Sequence, residues 1–227
     1  MSRTTIPRAA VLLLFEVASD SIAEHDDWHT HEHMPERLRI PGFLRGTRWT
    51  SLNEAGRYCV LYELESVDVL DSDTYRERLD NPTPWTSKMM CSYRGMHRTL
   101  CSVDAGSGRG LGGVALVVPF AIDAAQRAQV SAWLSVELLP TLEHRRGFAQ
   151  CYLLRSAASA RPTVEQKIRG DDASLQSALI VTGYDPGELD SFSRRELTAD
   201  RFSAKGARLV EHAVAMYRMA YSLSANE

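Results

Sequence analysis

Four of the chain's seven histidines fall within nine positions, in His25 and the run Trp28-His29-Thr30-His31-Glu32-His33-Met34-Pro35-Glu36-Arg37. An imidazole changes charge near neutral pH, so it can act as general acid, general base or metal ligand. On a helix, His25, His29, Glu32, His33 and Glu36 lie within an arc of about 100°. Trp28, Met34 and Leu38 mark a rival inward face that includes His31, so helical geometry alone does not say which imidazoles face the core. The string His29-x-x-Glu32-His33 also matches the inverted zinc-peptidase pattern. That chemistry needs a further acidic ligand downstream and a peptidase-sized fold. His33, His29 and Glu32 are the catalytic candidates of this stretch.

An internal repeat sharpens the choice. A shift of 105 positions (133 − 28) carries Trp28 onto Trp133, Glu32 onto Glu137, Pro35 onto Pro140, Gly42 onto Gly147 and Phe43 onto Phe148. Phe15 falls on Phe120 by the same shift. Further along, Arg57–Leu64 resembles Ser177–Tyr184 only after a longer shift, because the second copy carries an insertion around Ala157–Asp172. The second copy has Leu134, Val136 and Leu138 where the first has His29, His31 and His33. A buried imidazole needs hydrogen-bond partners, so histidines replaced by aliphatics point to a polar pocket near His33, in the first copy only. In the opposing reading the His face is solvated and the second copy's aliphatics cover some other contact.

The elements that must position these residues follow from hydrophobic pattern. Ala9–Val17 reads as a buried strand and His25–Leu38 as a helix, with Asp20 or Ser21 at its start and a break at Pro41-Gly42. Phe43–Ser51 and Arg57–Glu65 alternate as strands around the Asn53–Gly56 turn. Val67–Leu79 is a shorter helix. Asn81-Pro82-Thr83-Pro84-Trp85 is expected as a loop because two prolines exclude regular structure, and Met96–Val103 is a last strand. The order β-α-β-β-α-β is the ferredoxin-like pattern, and the second copy repeats it. The expected fold is therefore α+β: two tandem ferredoxin-like units packed sheet to sheet as an intrachain α+β barrel. Their expected bounds are 1–105 and 114–227, with Gly106–Gly113 (GSGRGLGG) as a flexible linker. The first unit carries the site and the second is mainly structural.

Composition narrows the partners. The 227 residues carry a net charge of −3, and Lys and Arg form no stripe, which argues against nucleic acid. The apolar run Ala9–Phe15 is too short to span a bilayer and no small-residue cleavage site follows it, so no membrane role and a cytoplasmic location are expected. Cys59, Cys91, Cys101 and Cys151 lack metal or disulfide spacing and read as reduced thiols.

The run Trp28-x-x-x-Glu32-His33-x-Pro35-Glu36-Arg37, followed by Pro41-Gly42-Phe43, resembles the helix-one signature of the dimeric α+β barrel superfamily, especially its EthD-like members. Asn81-Pro82-Thr83-Pro84-Trp85-Thr86 resembles a loop of their tandem-repeat relatives. The resemblance implies a ligand cavity between sheet and helices with His33 at its edge. Trp28 and Pro35 recur in the second copy and read as scaffold. Arg48, Tyr62 and His97 on strands are candidate substrate-binding residues, and Trp85 could lid an aromatic ligand. The superfamily hosts monooxygenases, haem enzymes, isomerases and cyclases, so it fixes fold better than reaction.

Three functions fit. The leading one is an enzyme of isomerase, lyase or oxygenase type, needing no cofactor, acting by acid/base chemistry on an aromatic or cyclic oxygenated metabolite. The others are a non-catalytic metabolite-binding protein and a haem- or divalent-metal-dependent enzyme. The expected partner is a small-molecule ligand, with homodimerisation left open.

Overall fold

The computed structural model describes residues 6–157, 163–169 and 172–225. The α+β class and the doubled β-α-β-β-α-β order are both present. The first copy runs through β1 (Ala9–Val17), α1 (Ile22–Trp28), a π-helical turn (His29–His33) and α2 (Met34–Leu38). It continues through β2 (Phe43–Ser51), β3 (Arg57–Leu64), α3 (Asp73–Asp80), α4 (Pro84–Met90) and β4 (Tyr93–Gly108). The second copy has β5 (Val114–Ile122), α5 (Arg127–Ala132), a π-helical turn (Trp133–Leu138) and β6 (Phe148–Ser156). There follow α6 (Val164–Arg169), β7 (Ser177–Gly183), α7 (Pro186–Glu196), α8 (Ala199–Lys205), the short β8 (Ala207–Leu209) and β9 (Ala215–Ser224).

The strand pairings run β7-β6-β4-β1-β3-β2-β9-β5-β8, and β7 also bonds to β5. Every strand but β8 thus has a hydrogen-bonded neighbour on both sides. No helix among the described residues is long and apolar enough to cross a membrane.

Two compact units emerge, and they are not the contiguous halves of the repeat. One gathers Pro7–Ser102, the described part of Ala157–Ser174, and residues 220–225; the other gathers Val103–Ser156 and Leu175–Met219. Strand β4 passes from the first unit into the second, and β9 passes back. The stretch expected as a linker is accordingly strand as far as Gly108. Gly106, Gly108 and Gly112 serve close approach: a Cβ on Gly112 would stand 2.2 Å from the backbone nitrogen of Gly183.

Two further local differences have simple causes. Pro84, expected in a loop, opens α4, where Thr83 Oγ1 accepts from the Thr86 N–H and proline's missing N–H is harmless at the first turn. The first helix begins at Ile22, and Ser21 precedes it without a side-chain cap, its hydroxyl donating instead to Asp20.

The π-helical turns come from proline. The Met34 N–H reaches back five residues to the His29 carbonyl, one step before Pro35, and the Leu139 N–H reaches the Leu134 carbonyl one step before Pro140. A proline ring clashes with the carbonyl four residues back, and widening the preceding turn moves that carbonyl out of its way.

Candidate active site

The sheet of the His-bearing unit aims alternate residues at its helices. Val11 pairs with Tyr62 on β3 and Leu100 on β4, while Leu13 pairs with Val60 and Arg98. Directly opposed residues of antiparallel strands share a face. Tyr62 and Arg98 therefore rise on the same side as Val11, Leu13 and Phe15, beneath the histidine helix.

On that helix His25, His29 and His33 are all buried, at 0%, 2% and 7% exposure. Their rings follow one another at 5.6 Å and 5.5 Å between centroids. His25 contacts Asp26 through Nδ1 at 3.3 Å and the Tyr93 hydroxyl through Nε2 at 3.3 Å. His29 Nε2 shares a hydrogen bond of 3.4 Å with the Tyr62 hydroxyl. Burial holds the His25 imidazole below its usual range, although Asp26 partly opposes this. Burial holds His29 well below it, and the nearby His25, Arg48 and Arg37 act in the same direction. Both rings are neutral at pH 7. Burial likewise raises the Tyr62 phenol, which stays protonated and can donate.

His33 opens onto a cavity of about 30 Å³. Arg37, Tyr62, Tyr75, Arg98 and Glu165 supply the rest of its polar wall, and Val11, Leu13, Phe43 and Leu79 its apolar wall. Such a volume admits roughly one water molecule. Arg37 and Glu165 form an ion pair in which each side chain is 4% exposed. Glu165 sits on α6, whose start is tied to α3 where the Val164 N–H donates to Asp80 at 3.1 Å. Arg98 donates to the Tyr75 hydroxyl at 2.8 Å.

Of the residues singled out in the sequence, His33 and Tyr62 line this cavity and His29 stands directly behind Tyr62. Glu32 does not join them: its carboxylate accepts from Trp28 Nε1 and from the hydroxyls of Thr83 and Thr86, pinning α4 to the helix. His29, Glu32 and His33 thus do not converge as the zinc pattern would require, and no trio of His, Cys, Asp or Glu among the described residues is placed to hold a metal ion. Arg48 donates to the Asp26 carbonyl at 3.0 Å and the Thr30 hydroxyl at 3.1 Å, so it braces α1 instead of reaching the cavity. Trp85 is half-buried and donates to Glu24 at 3.2 Å. His97 pairs with Leu14, which puts it on the opposite sheet face from its neighbour Arg98.

Sequence reasoning missed Arg98, Tyr75, Arg37 and Glu165. Strand alternation could have found Arg98, since choosing His97 excludes its neighbour from the same face. Glu165 lies in the stretch where the repeat breaks, which was visible as an insertion but not as a wall of this cavity.

A larger hollow of about 530 Å³ lies in the other unit, between the end of β5 and α8. Its charged residues Asp123, Asp200, Arg208 and Glu211 are all exposed, which makes it an open surface groove.

No protein-family model matches the chain, and no curated protein matches it in sequence. Solved structures do. An anthrone oxidase-like protein superposes with TM-score 0.64 at 11% identity, over 100% of this chain and 97% of its own. A putative monooxygenase from Fusobacterium nucleatum subsp. nucleatum gives 0.59 at 9% identity, over 98% and 96%. A chlorite dismutase from Candidatus Nitrospira defluvii gives 0.54 at 11% identity, over 96% and 92%. The likeness is one of fold. It spans both copies, so these neighbours share the doubled α+β architecture from end to end.

Proposed function

We propose that this chain is a small-molecule enzyme that works by acid/base chemistry, needing no cofactor, on an aromatic or cyclic oxygenated compound. His33 is the general base and then the general acid. Tyr62, hydrogen-bonded to the neutral His29, supplies a hydroxyl to the oxygen of the substrate as charge develops there. The single observation that carries this reading is the company His33 keeps: a buried polar cavity in one unit, where the repeat positions of the other hold aliphatic side chains. The neighbours named anthrone oxidase-like and monooxygenase support the oxygenase form of the reading.

Isomerisation, lyase chemistry and cofactor-free oxygenation share one step, removal of a proton from carbon conjugated with a carbonyl or phenol. An imidazole serves that step because its usual pKa lies near neutrality. The cavity seats the oxygen end of the substrate, and a whole ring requires side chains to shift.

The test is deuterium exchange. Anthrone and monocyclic enolisable ketones are incubated with the protein in heavy water, and uptake at the acidic carbon is followed by NMR. The protein should accelerate uptake over buffer, and His33→Ala should lose about 100-fold or more of that acceleration while still binding the ligand. Equal exchange in both proteins removes His33 from the chemistry. Binding with no exchange in either makes the chain a carrier, and a haem absorption band in the purified protein redirects the reading to redox chemistry.

A further inference from the structure

The charged side chains that line the cavity do not balance, although Glu36 stands close enough to Arg37 to feel its charge. Arg37 and Arg98 bring two guanidinium groups to its wall, and Glu165 brings the single carboxylate. Arg37 is 3% exposed, and one of its terminal nitrogens, Nη2, donates to Glu165. The other, Nη1, is buried with no hydrogen-bond partner among the described residues. Buried donors are normally satisfied, and a guanidinium presents its donors in a fork that fits a negatively charged oxygen.

We infer that the cavity takes the anionic oxygen of a ring compound, a carboxylate or a phenolate, on Arg37. This rests on the proposed reading for the ring and adds its charge. The volume of about 30 Å³ suits an oxygen end group and not a ring. Val11, Leu13, Phe43 and Leu79 give the apolar border that a ring edge would need. Glu165 engages the guanidinium through Nη2 and leaves Nη1 to the ligand. A neutral hydroxyl would complete the hydrogen bond but leave the excess positive charge uncompensated.

The test uses isothermal titration of the full chain with benzoate, with 4-nitrophenolate at a pH where it is ionised, and with neutral benzamide. At least one anion should bind, about tenfold or more tighter than benzamide. Which anion binds tells a carboxylate site from a phenolate site. The double variant Arg37→Leu/Glu165→Leu removes both charges together and places leucine where the repeat has Leu142; it should bind the anion at least about tenfold more weakly. If circular dichroism shows that it does not fold, Arg37→Lys is measured instead, and a several-fold loss is expected because an ammonium lacks the fork. Benzamide binding as well as the anions overturns the inference, as does unchanged anion affinity in the variant measured. Failure of both anions to bind the unaltered chain means that Nη1 is only hydrated, and overturns it too. The two readings fail separately. Anion binding with exchange unaffected by His33→Ala sinks the acid/base reading alone, whereas exchange that depends on His33 without anion binding sinks this one alone.

Discussion

The first helices of the two copies differ in chemistry and share a backbone only as far as the proline. After it one continues as an α-helix over Met34–Leu38, and the other tightens to a 3-10 helix over Leu139–Leu142. His25, His29, His33 and Arg37 in one stand where Val130, Leu134, Leu138 and Leu142 stand in the other, by the shift of 105 (130 − 25), and all eight are buried. Beside Leu142, Phe148 and Cys151 the second unit keeps a hollow of about 0 Å³, against about 30 Å³ beside Arg37. Both helices carry the same π-helical turn ahead of the same proline. Such turns are often found at functional sites, but here the turn is shared scaffold and the side chains alone carry the distinction.

The turn also explains why four positions spaced by four share one face. Each four-residue step on an α-helix drifts about 40° around the axis. The wider turn takes that drift back, so Arg37 joins the buried face of His25, His29 and His33.

Several substitutions break or sharpen the comparison. The largest effect belongs to Arg37→Leu alone, which copies the other repeat but leaves Glu165 buried without its partner. It should cost about 3–5 kcal/mol in urea unfolding. Adding Glu165→Leu should recover most of the loss, and failure to recover would mean that the ion pair is not what separates the two helices at this position. Next is the exchange at the middle position. Leu134→His buries an imidazole among aliphatics and should cost about 2–3 kcal/mol, whereas His29→Leu loses one hydrogen bond to Tyr62 and should cost about 1 kcal/mol. Equal costs would show that the second unit can satisfy an imidazole after all.

Glu32 and Glu137 offer a smaller contrast, since they share a repeat position. Glu32 accepts from Trp28, Thr83 and Thr86, while Glu137 is exposed and among the described residues meets Lys205 alone, at 3.3 Å. Glu32→Ala should cost about 1–2 kcal/mol and Glu137→Ala under about 0.5 kcal/mol, both read from thermal midpoints. The last prediction is a slope. His25 and His29 have depressed folded-state pKa values, so the unfolded chain binds protons more readily once the pH drops below the usual histidine value of about 6.5. Stability is whole above that pH and falls as the pH moves down toward the folded values. His25→Val/His29→Leu, which copies the second repeat, should flatten this fall in a series of melts from pH 7 to pH 5.

The sequence by itself determined the doubled β-α-β-β-α-β order, because period-two strands, a proline-marked helix and a repeated Trp–Glu–Pro–Gly–Phe frame are local signals. It also determined that His33 differs from its counterpart Leu138, since that is a comparison of letters. Only the tertiary structure decided which polar groups meet. Arg98 enters because strand register sets its face, and Arg37 because the wide turn before Pro35 keeps it on the buried side of the helix. Glu165 enters because an insertion in the second copy belongs to the compact unit of the first. Those are relations between distant segments, fixed by packing and register, and no single stretch of the chain contains them.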